Sequence, residues 1–214
     1  FDRVGLVSSA VCDYRETDAL CGGLLDMGLR VSVSSLRIDL LTDGLLDALA
    51  RSGQETMTIA PEAGSERLRK AIKKPMTDHQ ILDGASRALD RGIRNLKIYA
   101  MVGLPTETAD DLQALGDLTL RIRRRMHERQ GKNPGRLGLS VNPFIPKPLT
   151  PIQWCRMEPM EEVKRRVRLL QRGIGRARGG VLFFRGGRGD LGLFPDEGGK
   201  GGDDVLRALH PRKN

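Results

Sequence analysis

Short apolar runs alternate with amphipathic stretches over the first two thirds of the chain. β-Branched and aliphatic runs near residues 4–9, 31–37, 55–61, 96–102 and 138–144 predict five strands, with Val31 and Val33 facing one way. Between them the period lengthens to that of a helix. "ETDALCGGLLDMGL" predicts a helix ending near Gly28, and "TDGLLDALARSG" one with Thr42 or Asp43 as N-cap and Gly53 as stop. "SERLRKAI" predicts a short helix, "TDHQILDGASRALDRGI" a longer one capped by Thr77, and Ala109 to about Glu128 the longest.

Five repeats of strand then helix, joined by connections of a few residues, are the pattern of parallel βα units with right-handed crossovers. The fold class is therefore α/β, with helices on the outer face of one curved parallel sheet. The character changes after Pro146. "PKPLTPIQW" predicts an extended, rigid segment, and "MEEVKRRVRLLQRGIGRAR" a basic amphipathic helix with Val163, Val167 and Leu170 on one face. From Arg185 the chain is Gly-rich and without periodicity, which predicts disorder. The divisions are 1–150 (the βα units), 151–184 (the proline-rich extension and basic helix) and 185–214 (the tail).

Composition adds three limits. No apolar run approaches the ~20 residues of a membrane span. Cys12, Cys21 and Cys155 make no disulfide framework, so a reducing cytoplasm is the expected location. The net charge of +9 would attract a polyanion such as RNA, but no aromatic residues interleave with the basic helices, which fits a solvated face better. His79, His127 and His210 have no metal-ligand spacing. Opening in mid-strand at Phe1, the chain reads as part of a longer polypeptide, with an upstream domain expected.

All parallel strands end on one rim, where ligands bind in barrels and open sheets alike. That rim collects Ser8-Ser9, Ser35 with Arg37, Pro61-Glu62-Ala63-Gly64, Gly103-Leu104-Pro105 and Asn142-Pro143. Two hydroxyls, an arginine, a carboxylate, an amide and exposed backbone suit a ligand with an acid, a ribose and a purine edge. Each residue alone reads equally as a helix cap or a surface charge.

"TIAPEAGSERLRKAIKKPMT", followed by "GIRNLKIYAMVGLPTET", resembles the C-terminal part of a radical S-adenosylmethionine (radical SAM) core, over roughly residues 1 to 175. "SVNPFIPKPLTPIQW" resembles the branch that carries a cobalamin-binding domain in front of that core. The resemblance implies a partial (β/α)6 TIM-like barrel holding S-adenosylmethionine against a 4Fe-4S cluster, whose reductive cleavage gives a 5'-deoxyadenosyl radical. It also implies roles by position. Ser8 and Ser9 offer backbone to the methionine amino group, and Ser35 and Arg37 approach the carboxylate or ribose. Glu62, beside Gly64, meets the ligand's polar parts, Val102 and Gly103 line the adenine, and Asn142 closes the pocket.

One departure is plain. The family's CxxxCxxC cluster motif is absent, since Cys12 and Cys21 are separated by eight residues and Cys155 lies far beyond. The motif is expected upstream, and this chain alone is expected to carry no cluster and no activity. Two rival functions are another α/β-barrel enzyme with a phosphate or nucleotide ligand, and a non-catalytic remnant that scaffolds or binds RNA. The substrate is not legible.

Overall fold

Each of the first five strands is followed by a helix that carries the chain back, and every pairing among the described strands is parallel. The computed structural model describes residues 2–8, 11–33 and 36–175, and the backbone of Val181–Arg185. The order is β1 (Arg3–Leu6), α1 (Thr17–Asp26), β2 (Arg30–Val33), α2 (Asp43–Arg51), β3 (Thr56–Glu62), α3 (Glu66–Ala71), α4 (Asp78–Asp90), β4 (Asn95–Val102), α5 (Ala109–Gln130), β5 (Leu137–Pro143), α6 (Met160–Gly175) and β6 (Val181–Arg185). The sheet runs β1-β2 and then β3-β4-β5-β6. Among the described residues a single parallel bridge, Leu36 to Ile59, joins the two parts, with the Leu36 amide donating to the Thr58 carbonyl at 3.3 Å. This is an α/β fold of the partial-barrel kind.

Four helices start from side-chain caps. The hydroxyls of Thr42, Ser65, Thr77 and Thr108 each accept from a first-turn amide, and Thr77 and Thr108 complete capping boxes with Gln80 and Asp111. Alternation then sorts the strands. Met57, Ile59, Leu96, Ile98, Ala100, Val102, Leu137, Leu139 and Val141 share one core with the buried faces of α2, α4, α5 and α6. The opposite phase holds Thr58, Ala60, Lys97, Tyr99 and Met101, all half-buried, with Lys97 Nζ 4.8 Å from the Tyr99 ring centre. The sheet therefore has an aliphatic helix-facing side and a more polar opposite side.

Four expectations need correction. Among the described residues the strands fall into a two-stranded and a four-stranded sheet, with only the Leu36 bridge linking them, so the expected one curved sheet is divided. There is a sixth strand, Val181–Arg185, parallel to β5, which runs from the end of the segment read as an extension and basic helix into the first residue of the segment read as a tail. Its five residues are too few for a period to register, and the open edge of β5 places them. "PKPLTPIQW" is a series of turns: Thr150 Oγ1 donates to the Lys147 carbonyl at 2.7 Å, and the Gln153 amide to that of Thr150 at 3.1 Å. The fixed φ of proline suits such turns as well as it suits an extended chain. Phe144, Ile152 and Cys155 of this region join Ala63, Leu68 and Leu104 in a second small core beside the rim. Finally, Val102 is wholly buried among the helix-facing core. Residues 186–214, read as a disordered tail, lie outside the described residues.

Candidate functional site

The ends of β3, β4 and β5 form the best-defined part of the rim. At the end of β3 the register slips, with Ile59 opposite Ile98 but Glu62 opposite Ala100. This bulge puts Glu62 at φ 66°, a conformation that costs an L-residue with a side chain roughly 1–2 kcal/mol. Its Oε1 accepts from Lys74 Nζ at 2.9 Å, and both side chains are partly exposed. Backbone strain here is held by the surroundings. The Arg69 guanidinium, fully buried, donates to the carbonyls of Gly64 (2.8 Å), Ala63 (3.2 Å) and Met76 (2.7 Å) and to Asp78. Gly64 lies so close to α5 that a Cβ would strike the Asp111 carbonyl and the Leu115 backbone. The loop after Glu62 is thus clamped from two sides.

The end of β4 is built on the opposite charge. Gly103 turns the chain at φ 78°, and its amide donates to Glu107 Oε1 at 3.2 Å. The Glu107 side chain is only 2% exposed, and Arg166 of α6 donates to it at 2.8 Å. Burial pushes the Glu107 carboxyl up, more than Arg166 and the Gly103 and Leu104 amides pull it down. Asp111 goes the other way. Burial opposes its charge, but bonds from Ser65, Arg67 and Thr108 outweigh it and hold the carboxyl at about 2.

At the end of β5, Asn142 is half-buried and lies in register with Met101. The structure therefore brings Glu62, Gly64, Gly103 and Asn142 together on three adjacent strands. It does not bring the Val102 side chain to the rim, and the Val102 carbonyl already accepts from the Phe144 amide at 2.8 Å. Arg37 lies one residue past the Leu36 bridge and donates to Asp39 at 2.6 Å and Asp13 at 3.4 Å. Ser8 is exposed in a bend after β1, while Ser9 and Ser35 lie outside the described residues. Sequence reasoning missed Lys74, Arg69, Glu107, Asp111 and Arg166. Only Asp111 carried a signal, as the fourth residue of "TADD" at a helix start; Arg69 and Lys74 reach partners 5 to 12 residues away and Arg166 reaches Glu107 across 59, and no local period marks any of them.

The cysteines do not fit an iron–sulfur cluster. Cys21 is fully buried in the main core and Cys12 packs against that core, whereas Cys155 belongs to the second core. Burial pushes the Cys12 and Cys21 thiols up, away from the thiolate that iron requires. Among the described residues no group of three or more His, Cys, Asp or Glu side chains is placed to hold a metal. The rim's donor set does fit an amino-acid-bearing nucleoside: a carboxylate, an ammonium, an amide and a glycine turn. The basic helices are largely occupied within the fold, since Arg121, Arg125, Arg129, Lys164, Arg165 and Arg166 all pair with carboxylates.

The model of the radical SAM superfamily matches residues 9–119, just over half of the chain. The chain belongs to the radical SAM superfamily. An uncharacterised protein of Methanocaldococcus jannaschii, MJ0966, is 42% identical over 149 residues, which are 70% of this chain and 31% of that protein. Coproporphyrinogen III oxidase (HemN) from Escherichia coli, described as a radical SAM enzyme, shares the fold with a TM-score of 0.55 at 12% identity. That likeness covers 80% of this chain and 40% of HemN. The chain thus spans about a third of its curated relative and two fifths of that structure. Neither comparison supports an association with cobalamin. No helix among the described residues is long and apolar enough to cross a membrane.

Proposed function

We propose that this chain supplies the S-adenosylmethionine-binding rim of a radical SAM enzyme. The observation that carries the reading is Glu62, a strained residue whose partly exposed carboxylate pairs with Lys74 and whose following loop is held by two buried clamps, on the edge of a parallel sheet where ligands bind. Backbone strain of this kind persists only where the surroundings enforce it, and here they do. Glu62 accepts from the ribose hydroxyls, the Gly103–Leu104 backbone meets the purine edge, and Asn142 closes the pocket. Arg37 serves the methionine carboxylate and Ser8 and Ser9 the amino group. Val102 contributes through its place in the core behind Gly103.

The 4Fe-4S cluster, and with it cleavage to a 5'-deoxyadenosyl radical, belongs to the whole enzyme and takes its thiolates from residues outside this chain. Within the site, Lys74 offsets the charge of Glu62 until hydroxyl donors arrive.

The test is calorimetric titration of S-adenosylmethionine into the intact, cluster-loaded enzyme and its Glu62→Gln variant, with thermal melts of both. Loss of a charge-assisted bond should weaken binding by roughly 1.5–3 kcal/mol, about ten- to a hundredfold, with little change in melting. Unchanged affinity would remove Glu62 from the site.

A further inference from the structure

The turn that faces the purine on this reading is not held by its own neighbours alone. Gly103 donates its amide to Glu107, and Glu107 is sealed from solvent with Arg166 as its cation. Arg166 also donates to Glu162 at 3.0 Å and Glu158 at 3.3 Å, so a single guanidinium gathers three carboxylates. The residues leading into α6, and Val163 within it, also pack against the turn. A Cβ on Gly103 would lie 3.0 Å from the Glu158 side chain and 3.9 Å from that of Val163. The buried edge of α6, with Val163, Val167, Leu170 and Ile174, anchors the helix to the main core. Residues 158–175 thus provide both a wall and a brace for Gly103, and they lie beyond the segment that the superfamily model matches.

We infer that Arg166 is a positioning residue for S-adenosylmethionine, acting through Glu107 to fix the Gly103–Leu104 backbone edge. This rests on the rim being the S-adenosylmethionine site. Without Arg166, Glu107 would be a buried carboxylate with no cation. It would turn outward toward water and release the Gly103 amide. The turn would then sample other conformations, and the purine edge would be lost for part of the time.

Two readouts separate the inference from the reading beneath it. Amide hydrogen exchange of Gly103 in this chain needs no ligand, and S-adenosylmethionine affinity is measured in the intact enzyme. Arg166→Gln should lower Gly103 protection and raise Kd, each by roughly tenfold. Arg165→Gln, which cuts an exposed pair with Glu162, should change neither. The double variant Glu107→Gln/Arg166→Gln removes the stranded carboxylate and should recover part of both losses. If Arg166→Gln does not fold, Arg166→Lys retains the charge without the fork, and should give an intermediate loss at Gly103. Unchanged Gly103 exchange in either Arg166 variant, or strictly additive effects of the two substitutions, overturns the inference. So does a change in exchange without a change in affinity. Failure of the unaltered enzyme to bind S-adenosylmethionine overturns the reading of the rim instead, while the exchange result still decides whether Arg166 holds the turn.

Discussion

Ser65 donates its hydroxyl hydrogen to Asp111 while accepting from the Leu68 amide, so the helices after β3 and β4 share one carboxylate at their start. Asp111 is itself the first-turn acid of the α5 capping box and an acceptor for Arg67. The two rim loops that carry Glu62 and Gly103 are therefore joined a few residues beyond each.

Acid should loosen that joint. The Asp111 carboxyl lies at about 2, below the ordinary value of 3.8. A lowered value contributes stability that is complete above the unfolded value and is lost as pH falls through the folded one. The contribution is about 2 kcal/mol. Urea midpoints of the chain and of Asp111→Asn, compared from about pH 5 to about pH 2, should converge as the pH drops. A gap that stays constant would show that Asp111 is not ionised in the fold.

Glu107 should show the opposite sign. Burial raises its carboxyl, so the proton-linked stability is present below the unfolded value near 4.5 and is lost as pH rises through the folded value. The melting advantage of the natural chain over Glu107→Gln should accordingly shrink between about pH 4 and about pH 7. An advantage that grows over that interval would mean that pairing with Arg166 outweighs burial.

Glu62 stands at a positive φ, where glycine has no Cβ to clash. Both Glu62→Gly and Glu62→Ala lose the pair with Lys74, so their difference reports the backbone. The glycine variant should be the more stable by roughly 1 kcal/mol, read as urea midpoints. Equal stability of the two would place Glu62 in an ordinary conformation and take away the strain argument for its role.

Removing Arg69 should be the most damaging of these changes. The side chain is fully buried, and Arg69→Met would leave the Ala63, Gly64 and Met76 carbonyls without their donor. The expected loss is about 3 kcal/mol or more in a denaturant melt. Arg69→Lys, with one donor group in place of a fork, should fall between. A loss under about 1 kcal/mol would mean that the loop after β3 is held by other contacts.

The alternation of Met57 and Ile59, or of Leu96, Ile98 and Ala100, carries its own meaning, because a strand residue's face follows from parity alone. The caps at Thr42, Ser65, Thr77 and Thr108 are equally local, each made with an amide three residues on. From such positions the sequence by itself determined the α/β class, the parallel order, the helix starts and the rim on which Glu62, Gly103 and Asn142 meet. The paired motifs around Glu62 and Gly103 determined the superfamily. What only the tertiary structure decided lies at long separation. Arg166 is 59 residues from Glu107, and Asp111 is 46 from Ser65. β6 has a place only because β5 leaves an edge for it. Buried charges such as Arg69 and Glu107 look like surface residues in a linear pattern. Their partners become visible only when the packing that removes water from them also brings those partners within reach.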